Sequence, residues 1–439
     1  MTMKKMISLA LSVMLVFGLS VSASAQATAP SIDESILLEA AEPVIDAYKA
    51  HYVVEDVHAT GITEVPKEDG GYYVEYILNF DATLKYDSAL EIPKIKGIAK
   101  ALNIDPNQSV DAFLADMRSA STVKSVDAEA KSDMQKMNLT ATSNAANATD
   151  TLSVGAVSTL VANSVINNLA NFVKEIEDEY IGESYEHNIG LRASIDVQGN
   201  MTELEYGVVD GYSKDISVIL PEAEKEMIQS GVAQVDEMVN VALYDLQNKQ
   251  LLSNQADIDV NSNPNFKYYR VNARDYANRY TTNAASVTCT NKNCNNYNST
   301  RRKAVGFWNN TTYANYCCFD CANYVSQAMK AGGVPTDSTW TPDSRSWRKC
   351  EYLRSYFYQN KKYWNLTTYS NCNAGGIILL HRKSGPSHAM MNVLNDGATI
   401  QYSAHTNDRN KFDYTLKSLS YSGITKIEFF IFDNVYPAH

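Results

Sequence analysis

The chain has 439 residues, is 45% hydrophobic and 20% charged, and carries a formal net charge of −12. That composition supports packed cores and excludes collagen-like, low-complexity and wholly disordered classes; the length allows two or three domains. The charge is split along the chain. Residues 267–439 hold 21 Lys+Arg against 10 Asp+Glu, a net of +11, which leaves 17 and 40, a net of −23, for residues 1–266.

The start of the chain reads as a secretory signal. Lys4 and Lys5 precede an apolar run, Ile7 to Val21, and Ser22-Ala23-Ser24-Ala25 supplies the small residues of a cleavage site. The run is short for a membrane span, which needs ~20 residues, and no later stretch qualifies. Residues 1–25 are therefore expected to be a signal peptide, the remainder to be secreted and either extracellular or cell-wall associated, and no membrane partner is expected after cleavage.

From there an acidic α+β domain is expected over residues 26–252. Ser31 to Lys49 has helical apolar spacing. Extended runs at Thr60–Val65 and Tyr72–Tyr86 flank the turn signal Glu68-Asp69-Gly70-Gly71. Pro93 to Arg118 reads as helix broken at Asp105-Pro106, and residues 119–150 as a mobile, polar insertion. Helical periodicity returns over Leu160–Tyr180, strands follow at His187–Val197 and Glu203–Val209, and Glu222–Leu251 is helical. The element order is like that of cystatin or nuclear-transport-factor-2 (NTF2) domains. His51, His58 and His187 have no metal-ligand spacing and read as structural; no metal or cofactor is implied. A polar linker is expected at 253–266.

All seven cysteines lie beyond it: Cys289, Cys294, Cys317, Cys318, Cys321, Cys350 and Cys372. In an oxidising compartment six can pair and leave one thiol over, in too many connectivities for the sequence to choose among. The informative stretch is Asp320-Cys321-Ala322-Asn323-Tyr324-Val325-Ser326-Gln327. Asp320 is a good N-cap residue and Gly332-Gly333 a good stop, so a helix is expected over 322–331 with Cys321 at its first turn. Free N–H groups and the positive end of the helix dipole stabilise a thiolate there, and the thiolate is the nucleophile. The competing reading makes Cys321 half of a disulfide.

A nucleophilic cysteine needs a base. Gly375–Leu380, Ser387–Leu394 and Ala398–Ala404 read as consecutive strands, with His388 at the mouth of the second and a tight turn at Asn395-Asp396-Gly397. Pairing 394 with 398 brings His405 close to His388, with Asn407 and Asp408 beyond it. His388 is the expected base and His381 its competitor. His405 is the favoured third member, to orient the ring, with Asn407 and Asp408 as alternatives.

Four blocks carry a family resemblance: Tyr269-Arg270 through Arg274-Asp275-Tyr276-Ala277, the Asp320–Gln327 segment with Ala331-Gly332-Gly333, Ser387-His388-Ala389-Met390, and His405-Thr406-Asn407-Asp408. Together they resemble the amidase domain family of secreted Gram-positive bacterial proteins, which is similar to the CHAP and NlpC-type papain-like hydrolases. The resemblance covers residues 267–439. It implies a papain-like α+β fold, a Cys321–His388 pair and hydrolysis of an amide bond. It also implies a side-chain amide as oxyanion donor, for which Asn315 is the candidate. Two features depart from the family: Gly375-Gly376 stands where relatives usually have Gly-Asp, and Cys317-Cys318 directly precedes the motif. Disulfides from that pair to Cys350 and Cys372 would brace the loop, whereas a bridge to Cys321 would trap it.

The expected activity is thus that of a cysteine amidase or peptidase acting on an extracellular peptide such as the peptide of peptidoglycan. The alternative is a catalytically idle papain-like surface-binding or adhesion protein. A basic module would also be drawn to anionic wall polymers. No nucleic-acid recognition motif accompanies the basic residues, so nucleic acid is not an expected partner. The acidic half is expected to fold back on the basic one and restrain it.

Overall fold

The structure, a computed structural model, describes residues 32–119, 154–209, 211–253, 266–283, 287–288, 303–304, 307–406, 408–420, 423–432 and 435–436. The expected signal peptide, nearly all of the 119–150 insertion and most of the 253–266 linker lie outside them.

The acidic half is helices on one face of an antiparallel meander. Asp33 accepts a hydrogen bond from the Ser35 N–H at 2.9 Å and so starts α1 (Glu34–Tyr48), which buries Leu37, Ala41, Val44 and Tyr48. Strand β1 (Tyr52–Pro66) pairs with β2 (Tyr72–Leu84) across the predicted turn, where Gly70 takes φ 87°. β2 runs in unbroken register with β3 (Ser184–Ile195), from Tyr72↔Ile195 to Thr83↔Ser184. β4 (Met201–Val208) and β5 (Gly211–Ser213) continue from β3. The predicted helical run divides as α2 (Pro93–Leu102) and α3 (Val110–Ser119), followed by the long α4 (Val154–Glu179) and α5 (Glu224–Ser253).

The basic half begins with β6 (Tyr268–Tyr269), α6 (Arg270–Arg279) and the short pair β7 (Val287–Thr288) and β8 (Lys303–Ala304). Helices α7 (Cys321–Ala331), α8 (Arg345–Arg348) and α9 (Cys350–Arg354) follow. Then come β9 (Trp364–Thr367), β10 (Ile377–Arg382), β11 (Gly385–Asn395), β12 (Ile400–Ala404), β13 (Arg409–Asp413), α10 (Leu416–Leu419), β14 (Lys426–Phe432) and β15 (Val435–Tyr436). The fold is α+β, as the alternation of element types predicts.

The two halves share one sheet. Its order is β1-β2-β3-β13-β12-β11-β10-β14-β9, with β4 and β5 attached at β3. The join is the parallel contact of β3 with β13 at Phe412↔Asn188. Gly190 makes room for it, because a Cβ there would lie 2.8 Å from the Phe412 ring. Side chains reinforce the join. Tyr48 donates to the Asp413 carboxylate, and the His187 Nδ1 lies 2.7 Å from the same group. Arg270 and Arg274 pair with Glu179, and Arg270 donates to Glu175 at 2.8 Å. Burial pushes the Glu175 carboxyl up to about 7 against the pull of Arg270. Leu394 and Ala398, from the basic half, pack into the core of the acidic half.

The β11–β12 connection departs from the expected tight turn. The ladder pairs Met391↔Ser403 and Asn395↔Ile400, so Ala398 and Thr399 belong to the loop. The reason is Asp396. Its buried carboxylate accepts from the N–H groups of Ala398 and Thr399 at 2.9 and 2.7 Å and from the Tyr52 hydroxyl at 2.7 Å. Those backbone donors are taken from the ladder by a carboxylate that needs them.

Burial lowers the affinity of His187 for a proton, and the adjacent Asp413 charge more than offsets this, leaving its pKa above 6.5. A histidine raised on folding contributes stability below its unfolded pKa and loses it as pH rises through the folded value. Asp413→Asn should therefore cost about 3–5 kcal/mol near pH 6, with a penalty that shrinks as the pH is raised, measured by urea unfolding. A chain starting at Lys267 exposes Arg270, Asp413 and the β13 edge together, and it should be recovered as aggregate rather than as a monomer by size-exclusion chromatography.

Candidate active site

Helix α7 begins at Cys321 as expected, but not because Asp320 caps it. Asp320 makes no cap hydrogen bond. Its Oδ1 accepts from the Tyr316 N–H at 2.8 Å and the Asn323 amide at 2.9 Å, and its Oδ2 lies 2.7 Å from the His405 Nδ1. Its own N–H donates to the Thr406 hydroxyl at 3.2 Å. Asp320 thus ties the incoming loop, the helix and the end of β12 together one residue before the cysteine.

The other polar residues of the motif anchor α7 to its surroundings. The Trp347 indole donates to Asn323 at 2.7 Å, and the Ser326 hydroxyl donates to the Trp347 carbonyl at 2.8 Å. Tyr276 donates to the Gln327 side chain at 2.8 Å, and Tyr324 donates to the Ala277 carbonyl at 2.8 Å. These contacts fix α8 on one side of α7 and α6 on the other.

Cys321 is a free thiol, 7% exposed, at the rim of an open cleft of about 520 Å³. Tyr316, Phe319, Arg348, Lys349, Ser387 and Thr406 are among its lining. The Cys350 sulfur stands 3.6 Å from that of Cys321. Hydrogen bonding from Cys350, and then from His388 and the Ala389 N–H, holds the Cys321 thiol well below 9.0 although burial opposes it. Cys350, as donor to that anion, is pushed well above 9.0. The site therefore favours a thiolate at Cys321 and a neutral thiol at Cys350. His388 reaches it from β11, beside Ala389, where that strand packs on α7.

The remaining expected residues are placed as follows. His405 is fully buried, stacked on Tyr324, and bonded at Nδ1 to Asp320 and at Nε2 to the Tyr280 carbonyl at 2.6 Å. This corrects the expectation that it orients His388, since both ring nitrogens are engaged elsewhere. Both ring nitrogens face oxygen acceptors, an arrangement that the imidazolium satisfies. Burial works against that charge, and Asp320 outweighs burial and raises the pKa above 6.5. Asp408 is buried close enough to add to that effect. Asn407 lies outside the described residues. Asn315 spends its side-chain oxygen on the Cys317 N–H at 2.5 Å, a loop-bracing contact. His381 faces Glu428 at 2.7 Å, in an ion-pair group with Arg354 and Lys426.

The cysteine expectation also changes. Cys317 is disulfide-bonded, but Cys350 and Cys372 are free, so neither braces the loop. Cys372 is buried beside Gly376, in the core on the other face of the sheet from Cys321. Cys289 and Cys294 lie outside the described residues, as does the side chain of Cys318. Among the described residues no three His, Cys, Asp or Glu side chains are grouped to hold a metal ion. No described helix is long and apolar enough to cross a membrane.

Residues 267–432 match the family model described as "Putative amidase domain". The matched stretch runs from β6 through β14 and contains Cys321, Cys350 and His388. The match supports the amidase domain family expected from the four sequence blocks and spans less than half of the chain. No curated protein and no solved structure matches the chain.

Sequence reasoning missed Cys350 as the neighbour of Cys321. Its only signal was an extra cysteine in the same basic half. A thiol-reactivity profile checks the electrostatics. Iodoacetamide near pH 6 should label Cys321 and leave Cys350 and Cys372 unmodified, and His388→Ala should move the Cys321 labelling midpoint upward.

Proposed function

We propose that residues 267–432 act as a cysteine amidase or peptidase that hydrolyses an amide bond, with Cys321 as nucleophile and His388 as base. The observation that carries this reading is a free Cys321 at the start of α7, lining an open cleft, with the Cys350 sulfur at 3.6 Å and His388 on the strand packed against that helix, where it lowers the proton affinity of the thiol. The amidase family match supports the reaction class. A cysteine at a helix start, packed against a histidine on an antiparallel strand, is also the arrangement of papain-like hydrolases.

In this scheme the Cys321 thiolate attacks the carbonyl carbon and the carbonyl oxygen becomes an oxyanion. The N–H groups of the first turn of α7, which have no partner within the helix, are donors of the kind that stabilise it. His388, having taken the thiol proton, gives it to the departing amine. A thioester remains on Cys321. Water, deprotonated by His388, then releases the acid and restores the thiol. The Asp320–His405 pair stands one step away and holds the backbone from which Cys321 projects.

The substrate we propose is cell-wall peptide. Arg348 and Lys349 at the cleft suit the free carboxylates of such peptides, and exposed Phe319 offers an apolar rest. The signal-like residues 1–25 would deliver the protein outside the cell, where the net +11 of residues 267–439 favours anionic wall polymers. The free state of Cys321 leaves the nucleophile available, which supports this reading over an idle binding protein in which that sulfur is blocked.

Digestion of purified muropeptides tests the proposal. Wild type should release new amine and carboxyl ends, Cys321→Ala should release none, and His388→Ala should fall by about 10²–10⁴-fold. A Cys321→Ala product profile identical to wild type would reject this function for that substrate.

A further inference from the structure

We propose that Cys350 is the resolving thiol of a reversible oxidation at Cys321, in which a hydroperoxide leads to a Cys321–Cys350 disulfide. The first observation is distance. The two sulfurs are 3.6 Å apart with both thiols free, and a disulfide bond of about 2.05 Å requires them to close by only about 1.5 Å. The second is the backbone. Trp347 is held to α7 through Asn323 and Ser326, and the extended Lys349 (φ −126°, ψ 125°) then separates α8 from α9. Cys350 therefore opens a separate helix, set off from Trp347 by that extended residue and held with its sulfur facing Cys321. The third is access. Both cysteines line the cleft, so a small oxidant reaches them by the substrate's route. The fourth is exclusivity among the described thiols: Cys317 is already bonded and Cys372 is in another core.

The chemistry balances. The Cys321 thiolate attacks one peroxide oxygen, the S–O bond forms as the O–O bond breaks, and the leaving alkoxide takes a proton to become an alcohol. The resulting sulfenic acid is attacked by the Cys350 sulfur. The S–S bond forms, the S–O bond breaks, and the hydroxyl leaves with the Cys350 proton as water. Sulfur has been oxidised and the peroxide reduced. A small thiol reverses the step by exchange. Cys321, at the start of α7 against the strand that carries His388, is the attacking thiol and Cys350 beside it the resolving one; the lowered proton affinity of Cys321 agrees with that order. Formation of the bridge needs only the two thiols and the peroxide, not turnover of a substrate. Its consequence, a nucleophile withdrawn from turnover and protected from over-oxidation, rests on the function proposed above.

The test treats the full chain with hydrogen peroxide, maps disulfides by mass, and follows muropeptide hydrolysis in the same samples. The expected result is a cross-linked peptide pair containing Cys321 and Cys350, two hydrogens lighter than the thiols, appearing as activity falls and disappearing as dithiothreitol restores it. Cys350→Ser should form no cross-link, should trap dimedone at Cys321, and should progress to sulfinic acid that dithiothreitol does not reverse. Wild type that reaches sulfinic acid at Cys321 without the cross-link would overturn the proposal, as would a Cys350→Ser variant that recovers like wild type. A cross-link that forms and reverses in a protein whose reduced form hydrolyses nothing would leave the thiol pair standing and remove the amidase reading instead.

Discussion

The buried pair between Asp320 and His405 is the constraint on which the site depends. The partners are 85 residues apart and both fully buried, and neither faces the cleft. Removing such charges from water costs several kcal/mol per ion, which only close pairing and further hydrogen bonds offset. Asp320 meets that condition with the Tyr316 N–H and the Asn323 amide, and His405 with the Tyr280 carbonyl. The same bonds fix the approach to α7 against β12. Because Cys321 is the next residue, the geometry at its sulfur follows from a pair that never touches it.

A second set of charges joins the halves. The contrast between the acidic and basic segments is partly used in place. Arg270 and Arg274 meet Glu175 and Glu179, and Lys411 meets Glu186 at 2.9 Å. Together with the β3–β13 contact and the Tyr48–Asp413–His187 cluster, these contacts make the acidic half a structural continuation of the sheet. The lining of the cleft runs from Tyr316 to Thr406 and includes no described residue of the acidic half. Any restraint by that half would therefore act through the sheet rather than by covering the sulfur.

Where the chain's signals are local, the sequence was legible. The turn at 68–71, the strands either side of it, the break between α2 and α3, and the stop of α7 all follow from residues within a few positions of one another. The β11–β12 loop failed for a specific reason. Asn395-Asp396-Gly397 looks like a tight turn, but Asp396 is buried beneath Tyr52 of the acidic half, and its carboxylate claims the next N–H groups. That demand arises 344 residues away in sequence. The reading of Asp320 as a cap failed in the same way, because His405, Asn323 and the Tyr316 N–H leave its carboxylate no role as a cap.

By itself the sequence determined that a cysteine opens a helix, that a histidine lies on a neighbouring strand, and that the chain is α+β. Helix starts, helix stops and strand alternation are set by short-range sterics and backbone hydrogen bonding. Only the tertiary structure decided what surrounds that cysteine: Cys350 on one side of the sulfur, His405 spent on Asp320 rather than on His388, and a sheet continuous with the acidic half. These depend on burial, which makes an unpaired charge or thiol costly and so selects partners from anywhere in the chain. Sequence spacing alone carries no record of that choice.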